Sequence, residues 1–363
     1  MDDKTTGTTS NEPAIKEVPS AGPALPSFDS CVAAASSTGK SGIDAISPLS
    51  TQLQQKCPAL AQILQSSAVR TSLETYARQD AEAVRQQADL VKEATWANVC
   101  LMAAGITSGI VLAASGQSFG SEYAPLISNL TLALGAVTLF LGAAAAFFAY
   151  VARDQGRIGR WQARRSEAEI ARLTVFSTIA AKASEEGPAV ALQGLAVIVC
   201  HLVDDQRKWL GARALRHRKS SESTSRWGGL ASSLAFIGGS GAIIASQMQS
   251  AVFVVLAGVI GAAIGAYSAN RDALRRDRSN ADRYEKTQVA LDGLAGRTDD
   301  IAAKIVAGEP KALVAFTASI SDLLATEHKQ WLEGTAQAEA SLQKLDAQLE
   351  QLAKAKKEPG AEG

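Results

Sequence analysis

Residues 227–270 read WGGLASSLAFIGGSGAIIASQMQSAVFVVLAGVIGAAIGAYSAN, 44 positions without Asp, Glu, Lys or Arg. A hydrocarbon layer about 30 Å thick takes about 20 helical residues to cross. The run is long enough for two crossings, and SQMQS at 246–250, its most polar stretch, marks the turn between them. Working outward, residues 94–121 are charge-free over 28 positions and 123–152 over 30, room for one crossing each. Four spans are therefore expected, at 96–115, 126–151, 228–246 and 251–269. The second is rich in Leu and Phe; the first and third are rich in Gly, Ala, Ser and Thr. Six strongly apolar residues at about −0.5 kcal/mol each supply only about −3 kcal/mol of insertion energy. The weaker spans are expected to insert as hairpins with stronger partners. Trp96, Tyr123, Tyr150, Trp227 and Tyr267 lie near the run ends, where an aromatic belt belongs.

The rest of the chain is polar and balanced. Its 363 residues hold 36 Lys+Arg and 36 Asp+Glu, without the basic excess of a nucleic-acid binder. Four unpaired-looking cysteines exclude a disulfide-stapled fold and suit a reducing interior, and three histidines give no His-rich metal site. The connection at 116–125 holds one Glu and no basic residue, and the 246–250 turn holds no charge. All 36 basic residues thus fall on the other side of the predicted spans. The positive-inside rule places both termini and the segment 153–226 in the cytoplasm, in an inner or plasma membrane. No apolar stretch in residues 1–30 resembles a cleavable signal.

The chain also repeats itself. Residues 153–173 aligned with 271–291 share eight of 21 positions, among them Arg153/Arg271, Arg157/Arg275 and Arg160/Arg278. Residues 188–214 aligned with 310–336 share Pro188/Pro310, Leu202/Leu324 and Trp209/Trp331. Each unit reads as a hairpin, an exit helix, a Gly-Pro break (186–188, 308–310) and a second helix. Two-span units return to their starting side, so the copies are parallel repeats. The expected organisation is a disordered Ser/Thr/Pro-rich tail (1–58), a cytoplasmic helix (59–91), two units (92–223 and 224–336), and a coiled-coil segment (337–363) seamed by Leu342, Leu345, Leu349 and Leu352. The fold class is all-α: an integral membrane protein of four helices in two parallel two-span repeats, with a cytoplasmic helical bundle.

Several residues are candidates for function. Arg153, Arg157, Arg160 and Arg164 fall on one helical face at the membrane exit, and Arg271, Arg275 and Arg278 repeat the pattern. Such a face suits anionic head groups, a cationic pore vestibule or an acidic partner. Trp209 and Trp331, each four residues after an acid, suit repeated core anchors. Thr107, Ser108, Ser232, Ser233 and Ser240 lie in the predicted spans, and helix packing and pore lining both fit them. The segment AASSTGKS at 34–41 satisfies a relaxed phosphate-loop pattern, but no strand precedes it and Pro48 follows, so the match is read as fortuitous. No metal, cofactor or catalytic motif is found, and no ionisable residue lies within the predicted spans, which disfavours an ion-coupled pump.

A hairpin followed by an Arg-rich exit and an acid-xxx-Trp helix resembles the SLATT domains, two-transmembrane effector modules associated with nucleotide-synthesising and nucleotide-sensing proteins. The resemblance rests on Arg153, Trp161, Arg165, Glu167 and Trp209 in the first unit, and on Arg271, Arg283, Glu285 and Trp331 in the second. It implies two fused copies forming a pore-forming effector, gated in trans by a cytoplasmic sensor protein. The expected function is an oligomeric, channel-like effector in the lipid bilayer, with neither enzymatic activity nor a cofactor. The alternative is a non-conducting anchor or signalling scaffold that recruits partners through its cytoplasmic helices.

Overall fold

The computed structural model describes residues 25–38, 40–115, 124–152, 155–245 and 251–355, and side chains only as far as 334 at the C-terminal end. These residues are almost all helical, with short turns between helices and no strand among them. Three short helices come first: α1 (Phe28–Ala35), α2 (Ile46–Leu53) and α3 (Pro58–Leu64). Ser27 caps α1 by accepting the Ser30 N–H at 3.3 Å. Two long helices follow, α4 (Ser67–Ser115) and α5 (Ala124–Ala152), then α6 (Gln155–Glu185) and α7 (Pro188–Ile198). A π turn over Val199–Val203 joins α7 to α8 (Asp204–Ala245) without a break. The remainder comprises α9 (Ala251–Arg275), α10 (Asp277–Ala295), α11 (Thr298–Val306) and α12 (Ala312–Ala355). Gly187 (φ +106°) and Gly308 (φ +91°) occupy the expected breaks, in backbone conformations that side chains bearing a Cβ rarely adopt.

The hydrophobic core is centred on α7. Leu192, Leu195, Ile198 and Leu202 have no solvent exposure and pack with Phe176 and Ile179 of α6 and with Ile305, Leu313 and Ile320 of α11 and α12. Residues from α1 to α3 complete this core: Ile46, Leu49 and Leu60 are fully buried. The expected disordered tail of 1–58 is thus corrected over the described residues 25–38 and 40–58, which fold into short helices with one face packed in the core. Its Ser, Thr, Gly and Pro content masks a helical spacing of apolar residues at Ile46, Leu49 and Leu53, which one face buries. Residues 59–91, expected as a cytoplasmic helix, fall on α3 and the first half of α4. After α3, a single helix of 49 residues, about 74 Å long, runs through the predicted first span.

Among the described residues, three helices are long and apolar enough to cross a membrane: Ser67–Ser115, Pro125–Ala152 and Pro188–Gly238. Their surroundings differ. The most apolar windows of the first two are 28% and 11% buried, and that of the third is 56% buried. The buried residues of the third cluster at 191–203, inside the core, so protein covers its apolarity. In α5, by contrast, Leu132, Phe140 and Phe147 are exposed, a surface suited to lipid rather than water.

The π turn carries a buried histidine. His201 is 3% exposed, and its Nε2 lies 3.0 Å from the Ala35 carbonyl oxygen, which makes Nε2 the protonated nitrogen. Burial lowers its proton affinity below that of an ordinary imidazole, although the Ala35 carbonyl favours the charged form. The unfolded chain therefore binds this proton more readily than the folded one. Folding stability should then fall as pH drops below about 6.5, by up to about 1.4 kcal/mol per pH unit. Denaturation midpoints of the wild type and His201→Asn, measured from pH 7.5 to 5.5, should diverge in slope. Parallel curves would assign the titration elsewhere.

Candidate functional site at the hairpin base

The predicted spans pack as two hairpins, α4 with α5 and α8 with α9, and α4 also lies against α9. Glycine makes these contacts close. A Cβ at Gly105 would lie 3.2 Å from the Cβ of Ala263, and one at Gly238 would strike the backbone of Gly258. Thr107 is a packing residue: it accepts a hydrogen bond from Thr138 Oγ1 at 2.8 Å, joining α4 to α5. Ser108, Ser232 and Ser233 lie on the outside. Ser232 and Ser233 hydroxyls donate to the carbonyls of Gly228 and Gly229 at 2.9 and 3.0 Å. Ser240 is on α8, but its side chain lies outside the described residues. So do the leucines of the coiled-coil seam, which fall on α12.

Below the hairpins, ion pairs lock α6 to α4. Arg157 meets Glu93 at 2.8 Å and Arg165 meets Asp80 at 2.6 Å. Glu169 accepts from Arg165 at 2.7 Å and from Arg172 at 2.5 Å. Burial works to raise the Glu169 carboxyl, but Arg172 and Arg165 outweigh it and hold the group below the usual carboxylate range. Tyr76 lies in the same network and is pushed up to about 12, chiefly by burial and then by Asp80, so it keeps its proton.

The basic exit faces are not equivalent in three dimensions. Arg153 lies outside the described residues. Arg157 and Arg164 turn toward α4, the latter donating to Gln79 at 3.1 Å, so they pack rather than meet head groups. Arg160 and Arg278 are exposed. Arg271 and Arg275 line a cavity of about 700 Å3 between α4, α5, α6, α8, α9, α10 and α12. Arg213 and Arg216 of α8 line it too, residues for which the sequence reading assigned no role. Their signal was the 213-216-217-220 spacing, one helical face.

The two tryptophans stand at helix crossings, and Trp331 lines the cavity. Trp331 of α12 meets Trp161 of α6 edge to face, with centroids 5.1 Å apart. Trp209 of α8 meets Tyr284 of α10 in the same manner at 5.5 Å, with the Arg213 guanidinium above its ring. The acids preceding them differ. Glu327 pairs with Arg283 at 3.1 Å, whereas Asp205 lies against Gly42, where a Cβ would come within 2.8 Å of its carboxylate. A carboxylate at that place repels phosphate, which counts against a nucleotide loop at 34–41. No family model matches the chain, and neither the curated proteins nor the solved structures provide a match.

Proposed function

We propose that this chain is a multi-pass membrane protein with four spans, the C-terminal parts of α4 and α8 together with α5 and α9. It acts as an oligomeric, channel-like effector with its helical body in the cytoplasm. One observation carries the reading. Ser108, Ser232 and Ser233 lie on the outer surface of the hairpins, among exposed apolar residues such as Leu112 and Phe236. Hydroxyls on such a surface gain from facing another chain or a water-filled passage rather than lipid. Within one chain the hairpins are closed by glycine contacts, so a passage requires several copies. The likeness to SLATT domains supports the same class, and a sensor protein in trans would supply the trigger.

A second reading has its own observation. The close Gly238–Gly258 and Gly105–Ala263 packing also suits an inert, rigid anchor for a cytoplasmic scaffold. The two readings part in one experiment. Expression of the full chain should depolarise cells, and the Ser232→Leu/Ser233→Leu double variant, inserted to the same level, should reduce the effect at least about tenfold, the loss of roughly 1.4 kcal/mol in a polar passage. Depolarisation unchanged by the double variant would remove these serines from any pore. No depolarisation by the wild type, with its sensor co-expressed, would favour the scaffold.

A further inference from the structure

Five guanidinium groups surround the cavity at the hairpin base. Arg213 and Arg216 come from α8, Arg271 and Arg275 from α9, and Arg276 from the α9–α10 junction. Among the described residues none of the five forms an ion pair. The one acid in the lining, Asp277, is already engaged by His217 Nδ1 at 2.7 Å and Ser220 Oγ at 2.5 Å. Four positive charges are thus left in excess around one cavity, with Arg216 and Arg275 at its exposed edge. Such like charges repel one another and disfavour the folded arrangement. Burial and the neighbouring Arg216 both lower the proton affinity of Arg213, a sign of the same positive field.

Other features converge on the cavity. The Nε of Arg271 is buried without a partner. Asn98 is 5% exposed, lines the cavity, and has an unpartnered amide oxygen. Arg276 adopts a left-handed backbone (φ +47°, ψ +41°) and donates to the Gly334 carbonyl at 3.2 Å across the rim. A non-glycine residue in this conformation costs about 1–2 kcal/mol, strain of the kind that accompanies ligand sites. The lining also holds apolar and aromatic residues, Leu90, Ile158 and Trp161. A volume of about 700 Å3 falls within the range of small-molecule sites, about 300–1,000 Å3.

We propose that this cavity binds a phosphate-bearing small molecule, its phosphate held by the arginines of α8 and α9 and its apolar or ring-bearing body resting on Ile158 and Trp161. Guanidinium forks match phosphate oxygens in pairs, which selects this anion class over a halide. A halide also leaves most of the volume unfilled. Two sources share the chemistry: a soluble nucleotide and the head group of an anionic phospholipid.

The test is binding, without ion flux, so its failure leaves the channel reading untouched. The full chain is placed in nanodiscs of phosphatidylcholine, with or without phosphatidylglycerol, and titrated with ADP or pyrophosphate while tryptophan fluorescence is followed. Trp161 and Trp331 line the cavity and report its occupancy. A saturable response to ADP or pyrophosphate in neutral discs identifies a soluble ligand. A response to phosphatidylglycerol alone identifies the lipid. In either case Arg271→Gln/Arg275→Gln should weaken the response at least about tenfold, and Arg216→Gln should weaken it independently if the double variant misfolds. Arg70→Gln, exposed and outside the cavity, should leave it unchanged. No saturable response to any of the three probes overturns the proposal, as does an equal response in the correctly folded arginine variants.

Discussion

Glu169→Ala should destabilise the folded chain by about 3–5 kcal/mol. Glu169 is 9% exposed and accepts from two guanidinium groups, Arg165 at 2.7 Å and Arg172 at 2.5 Å. Truncation removes the one carboxylate that forms an ion pair with Arg172 among the described residues and leaves Arg165 to Asp80. Two cations, largely buried, then lack full compensation, and that penalty exceeds the loss of two attractive contacts. Chemical denaturation of the detergent-solubilised protein measures the change. Glu169→Gln, which keeps a hydrogen-bond acceptor, should fall between the wild type and the alanine variant. A shift below about 1 kcal/mol for Glu169→Ala would mean that water reaches the network and that the α4–α6 lock contributes as little as a surface ion pair.

Leu49→Ala comes next, with an expected loss of about 2–5 kcal/mol. Leu49 has no exposed surface and packs into the core between the N-terminal helices and α7. The size of the effect depends on whether 25–58 is part of the folded body. A disordered tail predicts no change at all. Limited proteolysis provides a second readout: cleavage within 25–64 should be slow in the wild type and fast in the variant. Equal rates would detach this segment from the core.

The hairpins were legible in the sequence because charge is costly in a lipid-facing helix, so its absence over 28 to 44 residues leaves a plain mark. The breaks at 186–188 and 308–310 were legible through Gly and Pro, whose backbone limits are local. The N-terminal helices were obscured because composition averages over a segment whereas burial selects one face. Ile46, Leu49 and Leu53 are few among many small polar residues. The exit arginines show a different limit. Arg157 and Arg275 occupy matching places in sequence, yet Arg157 finds Glu93 on α4 and Arg275 finds a cavity. A motif fixes which residue is present, and the neighbouring helix decides what it meets. For the same reason Arg213 and Arg216 carry no signal of their own in the sequence beyond a shared helical face: it is the packing of α8, α9 and α10 that brings them to one cavity.

The unbroken passage from α7 through the π turn into α8 has a mechanical consequence. From Asp204 to Ala245 the helix is 42 residues, about 63 Å of rod with no joint. Its base is clamped in the buried core, with Leu202, Val203 and Leu210, and its far end forms one leg of a hairpin. A tilt of about 5° at the base sweeps the tip through roughly 5 Å, the pitch of one helical turn. Small displacements around Arg213 and Arg216, near the fulcrum, are therefore magnified at Ser232 and Ser233, well along the arm.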